Sequence, residues 1–319
     1  MSLAKINDRV LPEIAGSPAI DLVAVASRSE EAAARYAAER GIPRHHGSYD
    51  ELLADEEVEA VYIPLPNSLH ADWTIRALEA GKHVLCEKPM SRRAEDVRRA
   101  FDASERTGRL LMEAFMWRHH PQTRRAVELV AEGAIGELRV VRSSFGFTLS
   151  DPANVRMLAE LDGGALMDVG CYCVSGIRLF AGEPETATAQ QVVGPSGVDV
   201  RLAATMTFSG PVLARFDCGF DVPDNSLLEA VGSRGMLRIE TPFLITDPGI
   251  ELVRDGTVEH VEVQPAPAYR LELENFGAAI RGAEEPLLGR DDAVGQALTI
   301  EALYRSADRG GEPVAVAHG

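Results

Sequence analysis

The sequence is short of cysteine and of positive charge, and it lacks any obvious apolar run long enough to span a bilayer. Its four cysteines, Cys86, Cys171, Cys173 and Cys218, form no Cys-x-x-Cys pair. Cys171-x-Cys173 falls in an apolar stretch and reads as core packing rather than metal binding. The histidine pairs His45-His46 and His119-His120 lack the i,i+4 spacing of helical ligands, so no metal is expected. Basic residues number 32 against 49 acidic, a net charge of −17, which argues against a nucleic-acid or anionic-membrane partner. The amino terminus has no basic-then-apolar leader, and a cytoplasmic location is expected.

What is present describes an ordinary globular protein: 45% hydrophobic and 25% charged residues over 319 positions, a length that suits two domains. From residue 20 to about 115, short apolar strands alternate with helices. DLVAVAS precedes a helix at 29–40, AVYIPL one at 70–80, and HVLCEK one at 94–107, with RLLMEAF closing the series. Such alternation implies right-handed crossovers and a doubly wound parallel sheet covered on both faces. After Trp117 the pattern changes to a helix, the strand ELRVVRSSFGF, an apolar helix GGALMDVGCYCVSGIRLFAG, and then strands joined by short turns. Consecutive strands without crossover helices predict an antiparallel sheet. The expected fold is therefore α/β followed by α+β: a Rossmann-like domain over 1–117 and a domain with a large, mainly antiparallel sheet over 118–319.

Three stretches carry chemistry. VYIPLPNSLH ends a strand in prolines, at the carboxyl edge where open parallel sheets bind ligands. There Asn67 or Ser68 can cap the next helix, and His70 reads equally well as a surface residue. Cys86-Glu87-Lys88-Pro89 ends another strand. A lysine partly desolvated at this edge can donate a proton or orient a hydroxyl, and Lys88–Pro89 is a candidate cis bond. In ALMDVGCYC, Asp168 and Tyr172 stand four apart and share one helix face. Gly163 and Gly164 loosen the start of that helix, and Gly170 allows another backbone to approach. The pair serves equally as a hydrogen-bonded core feature.

Taken together, SYDELL, VYIPLPNSLHADWTIRALEAGKHVLCEKP, MEAFMWRHHPQ, GAIGELRVV and GGALMDVGCY resemble the glucose–fructose oxidoreductase/inositol dehydrogenase (Gfo/Idh/MocA) family over essentially the whole chain. The similarity is greatest to its NADP-dependent xylose dehydrogenase and dihydrodiol dehydrogenase branch. It implies hydride transfer between a nicotinamide cofactor and a carbinol of a sugar or cyclic polyol, with a ketosugar reductase of deoxysugar synthesis and a non-catalytic sugar-binding relative as alternatives. By resemblance Lys88 and Tyr172 share the proton transfer, Asp168 binds a substrate hydroxyl, and Arg156 lies near the substrate. Leu65, Pro66, Asn67, His70, Glu87, Lys88, Trp117 and Arg118 fall at cofactor-lining positions. The second domain commonly forms a homodimer or homotetramer interface. The strand ending Ala26-Ser27-Arg28-Ser29 carries no acidic residue for a ribose diol; Ser27 and Arg28 suit a 2′-phosphate, so NADP is expected over NAD.

The opening MSLAKINDRVLPEIAGSPAIDLVAVA departs from that pattern. It reads helix (6–14), then strand (20–26), whereas family members begin with a strand and a glycine-rich turn. Met1-Ser2-Leu3-Ala4 falls inside that turn, so the first strand and its phosphate-cradling glycines are missing. A misplaced start, an altered chain and a truncated relative all fit, the first best. The expected consequences are a gap or forced pairing between strands 20–26 and 60–64, and weak dinucleotide binding.

Overall fold

Residues 1–317 are described by the computed structural model, in two units. The first comprises Met1–Ser91, Glu95–Met116 and Pro267–Ala293. It holds α1 (Asn7–Ile14), β1 (Ala24–Ala26), α2 (Glu30–Arg40), β2 (Arg44–His46), α3 (Tyr49–Ala54), β3 (Ala60–Ile63), α4 (His70–Glu79), β4 (His83–Glu87), most of α5 (Ala94–Thr107) and β5 (Leu111–Ala114). Local chemistry sets these limits. The Ser29 hydroxyl accepts from Ala32 N–H to start α2, and Gly41, at φ 65°, closes it in the left-handed region. Ser48 caps α3 in the same way through Glu51 N–H.

The parallel strands form two pieces, β1–β2 and β3–β4–β5. Among the described residues no ladder joins β1 to β3. The expected gap is there, and the first residues cross it without forming a strand. The Met1 amine donates to Tyr62 O at 2.8 Å and the Ser2 hydroxyl to Pro64 O at 3.0 Å. Leu3 packs against the Val25, Ala37 and Ile42 cluster beside β1. Burial pushes the Met1 amine down to about 5. Strand β1 is also shorter than expected: Asp21 and Leu22 are exposed and unpaired, because no neighbouring strand covers them.

The second unit comprises Arg92–Ala94, Trp117–Ala266 and Val294–Gly319. Helix α6 (Pro121–Ala131) and β6 (Leu138–Thr148) lead to a π turn (Leu166–Gly170) that runs into α7 (Cys171–Ala181). Then come β7 (Thr186–Val193), β8 (Asp199–Thr207), β9 (Leu213–Gly219), β10 (Asp221–Gly232), β11 (Gly235–Ile239), β12 (Gly249–Arg254) and β13 (Thr257–Glu262). Helices α8 (Ala268–Ile280) and α9 (Arg290–Asp308) and the short β14 (Val314–Ala315) end the chain. The sheet order is β13-β12-β11-β10-β6-β9-β8-β7-β14, antiparallel except for the β6–β9 pair. The single boundary read after residue 117 is thus too simple. Helix α8 returns to the first unit, where Glu13 accepts from Tyr269 N–H at 2.8 Å and the Ser17 hydroxyl donates to Glu274 at 2.7 Å.

Apolar alternation explains the sheet. One face packs on α7, whose Cys171, Cys173, Val174 and Ile177 are fully buried, each large apolar side chain contributing ~1.5–3 kcal/mol. On the other face Arg201, Ala203, Thr205, Leu213, Arg215 and Asp217 are exposed. The stretch Ala159–Ala181 corrects the sequence reading on one point, since its length and composition would suffice to cross a membrane. Its most apolar window is 78% buried inside the fold, as in a core helix.

His119, in the turn before α6, is buried with neither ring nitrogen hydrogen-bonded. Burial, with the Arg124 and Arg118 charges, pushes it from the usual 6.5 down to about 3. A depressed imidazole contributes stability above its unfolded value, lost as pH falls toward its folded one. Between about pH 7 and pH 4, wild type should lose roughly 3 kcal/mol more unfolding free energy than His119→Phe, measured by urea titration. Parallel pH profiles for the two would contradict this.

Candidate active site

Lys88 leaves the carboxyl end of β4, and its bond to Pro89 is cis, as the sequence suggested. Glu87 braces this end. Its carboxylate accepts from the Tyr62 hydroxyl at 2.6 Å and from Lys88 N–H at 3.2 Å. One turn further, the buried Glu113 of β5 holds Met90 N–H at 2.7 Å. Leu65, Pro66 and Asn67 follow β3 on the same carboxyl edge, and Ser27 and Arg28 follow β1. Parallel sheets present ligand sites at this edge because strand ends leave backbone groups unpaired there.

His70 departs from its reading as a surface residue. It is 1% exposed and stands between two carbonyl oxygens, Leu65 O at 2.7 Å and Pro89 O at 2.9 Å. Burial pushes its pKa down while the two carbonyls pull it up. The ring therefore ties the Leu65 turn to the Lys88–Pro89 turn and presents no open surface of its own.

The second constellation surrounds the start of α7. Asp168 lies in the π turn and Tyr172 in the first turn of α7. A π turn is wider than an α turn, so a residue four ahead falls just short of a full circle instead of just past it. The two side chains therefore stay on one side. Arg156 Nε donates to Asp168 Oδ2 at 2.7 Å. The Tyr172 ring packs on Phe145 (5.6 Å) and Phe243 (5.4 Å), and Phe243 meets the fully buried Trp117 edge-on at 5.2 Å. Arg118 Nη1 donates to the Ser175 hydroxyl at 3.3 Å, on the next turn of α7. Chemically this provides a phenol for proton transfer and a charge-paired carboxylate for hydroxyl recognition.

Two residues of this constellation gave no signal in the sequence. Asp199, at the start of β8, and Tyr304, in α9, are both buried and bonded to each other at 2.9 Å. An acidic residue opening an alternating strand reads as a turn residue, which hides Asp199 from pattern analysis.

Residues 3–115 match the Gfo/Idh/MocA oxidoreductase family with an NAD-binding Rossmann fold, and residues 123–238 match the Gfo/Idh/MocA C-terminal domain. The chain is 41% identical over 307 residues to D-xylose 1-dehydrogenase (NADP(+)) 2 of Haloferax volcanii, covering 94% of each. Among solved structures it is similar to an aldose–aldose oxidoreductase from Caulobacter crescentus complexed with glycerol, at TM-score 0.91 and 29% identity, covering 99% of this chain and 98% of that one. It is also similar to a 3-ketoreductase from Actinomadura kijaniata in complex with NADP and TDP-benzene, at TM-score 0.89 and 32% identity over 95% of each. The chain belongs to the Gfo/Idh/MocA family.

For a Gfo/Idh/MocA protein the test is whether the strand-end residues suit a phosphorylated dinucleotide. Among the described residues no ion pair or hydrogen bond engages the exposed Arg28 guanidinium, and the flanking Ser27 hydroxyl accepts from Ser29 N–H. Its charge pulls the Tyr49 hydroxyl down against the rise caused by burial. An uncommitted guanidinium at this edge fits a 2′-phosphate. The residues at the end of β1 therefore fit the ribose end of such a cofactor.

Gly164 has φ 123°, and a Cβ there would run into Asp199 Oδ1. Gly164→Ala should therefore cost ~2–4 kcal/mol of stability in urea unfolding, from strain and overpacking together. A loss under about 0.5 kcal/mol would mean that the turn relaxes freely.

Proposed function

We propose that this chain is an NADP-dependent oxidoreductase that moves a hydride between nicotinamide and a carbinol carbon of a sugar or related polyol. The carrying observation is the Asp168–Tyr172 pair: a phenol walled by aromatic rings beside a carboxylate already paired with a guanidinium. NADP, when bound, supplies the hydride acceptor or donor. Tyr172 takes the hydroxyl proton of the substrate, or returns it in the reverse direction. Lys88 is given the role of orienting that hydroxyl through its positive charge. Asp168 accepts hydrogen bonds from a neighbouring sugar hydroxyl, with Arg156 setting its orientation. Ser27 and Arg28 hold the 2′-phosphate, while Leu65, Pro66, Asn67, Glu87, Trp117 and Arg118 shape the rest of the cofactor site. The xylose dehydrogenase relative and the NADP-bound 3-ketoreductase support this reading by their own chemistry.

We assign dinucleotide binding to the first unit, built mainly from residues 1–117, and substrate binding to the second, built mainly from residues 118–319. The exposed face of the nine-stranded sheet, with Leu213 among its residues, favours pairing of two copies there. Four free, buried cysteines suit a reducing cytoplasm.

Tyr172→Phe should lower kcat ~10²–10⁴-fold without unfolding the protein, and Lys88→Ala should do similar damage while weakening NADPH binding. Wild-type turnover of a sugar panel by either variant removes that residue from the mechanism. For the cofactor, calorimetric titration should show NADPH binding more tightly than NADH. Arg28→Ala should narrow the difference and leave NADH affinity little changed. A wild-type preference for NADH would contradict the role given to Ser27 and Arg28.

A further inference from the structure

The start of α7 is held by a chain of contacts outside the residues given roles above. Asp199 Oδ2 accepts from Leu166 N–H at 2.7 Å, at the first residue of the π turn. Its other oxygen accepts from the Tyr304 hydroxyl at 2.9 Å. The Tyr304 ring lies under the Arg92 guanidinium, 3.8 Å from its carbon to the ring centroid. Asp199 is 4% exposed and Tyr304 5%, so water does not compete for these bonds. Behind the turn, Gly164 N–H donates to Arg156 O at 2.9 Å, and the space a Gly164 Cβ would need is filled by Asp199. One carboxylate therefore fixes the first free N–H of the π turn and abuts the loop from which Arg156 reaches Asp168.

A π turn carries an extra residue per turn and is less stable than the α turn that would replace it. An α turn here would rotate Asp168 relative to Tyr172. The bond from Leu166 N–H to a buried acceptor holds the wider form. We propose that Asp199, itself aimed by Tyr304, is a positioning residue that sets the π turn and thereby the placement of the Tyr172 hydroxyl toward substrate. The proposal rests on the catalytic reading of Tyr172.

The test uses the full chain and compares Asp199→Ala, Asp199→Asn and Tyr304→Phe, alone and combined with Tyr172→Phe. An asparagine at 199 keeps both bonds, accepting from Leu166 N–H and donating to the Tyr304 oxygen, whereas alanine keeps neither. Asp199→Ala should lower kcat about 10–100-fold and Tyr304→Phe about 3–10-fold, with sugar KM and NADPH Kd within about twofold of wild type. Asp199→Asn should recover most of the loss. In the Tyr172→Phe background, none of the three should lower the residual rate further, because the residue through which they act has lost its hydroxyl. Equal losses in both backgrounds would reduce Asp199 to a structural role and overturn the proposal, as would unchanged kcat in Asp199→Ala and Tyr304→Phe. If Asp199→Ala does not fold, Tyr304→Phe decides, since it keeps the ring under Arg92 and removes only the donor. Wild-type turnover by Tyr172→Phe alone would overturn the catalytic reading and this proposal with it. A catalytic Tyr172 with no kcat effect from Tyr304→Phe and Asp199→Ala would overturn this proposal alone.

Discussion

A carboxylate taken out of water is costly unless its oxygens are filled, and in the second unit that constraint organises the whole start of the apolar helix. Burial pushes the Asp199 carboxyl up to about 6, while the bonds from Leu166 N–H and the Tyr304 hydroxyl pull it back toward the ionised form. Because both oxygens are occupied, the groups around them have little freedom. Residue 164 must lack a side chain, the loop before it must close on Arg156 O, and the first turn of the helix must be the wide one. Asp168 and Tyr172 acquire their common orientation from that turn.

The carboxyl edge of the first unit is organised differently, through neutral or mutually compensating contacts. His70 spans the Leu65 and Pro89 carbonyls, Glu87 is braced by Tyr62, and Glu113 holds the backbone after the cis bond. Here rigidity comes from several moderate bonds distributed over β3, β4 and β5. The break between β1 and β3 is compatible with this arrangement because the strands that carry Lys88 and the Leu65–Asn67 turn lie together in the three-stranded piece. Only the Ser27–Arg28 end belongs to the other piece, and Leu3 with its apolar neighbours is what fills the space beside it.

Most of the architecture was legible because periodicity reports burial. The alternation from residue 20 to 115 gave α2, α4, α5 and the parallel strands to within a few residues, and the later strands gave the large sheet. Strand β2, Arg44-His45-His46, escaped notice because three polar residues carry no apolar signal; it is a strand only by pairing with β1. The first half of β10, with exposed Asp221, Pro223 and Asp224, was hidden for the same reason and is held by pairing to β6. The return of α8 to the first unit rests on contacts such as Glu13 with Tyr269, more than 250 residues apart, which no local window contains. Lys88, Asp168 and Tyr172 stood out as polar residues interrupting apolar segments. Asp199 and Tyr304 did not, since each sits in a segment whose other residues explain it.

The two members of the Asp168–Tyr172 pair are held in different ways. The Tyr172 ring packs against both Phe145 and Phe243, which also stack on each other, a setting that restrains the ring. Asp168 accepts from Arg156, whose side chain is 45% exposed while that of Asp168 is 15% exposed. The half-exposed Arg156 is open to exchange with water, whereas the Tyr172 ring is enclosed by its neighbours. Asp168 and Tyr172 thus share an orientation set by the π turn, with ring packing holding the one and an ion pair the other.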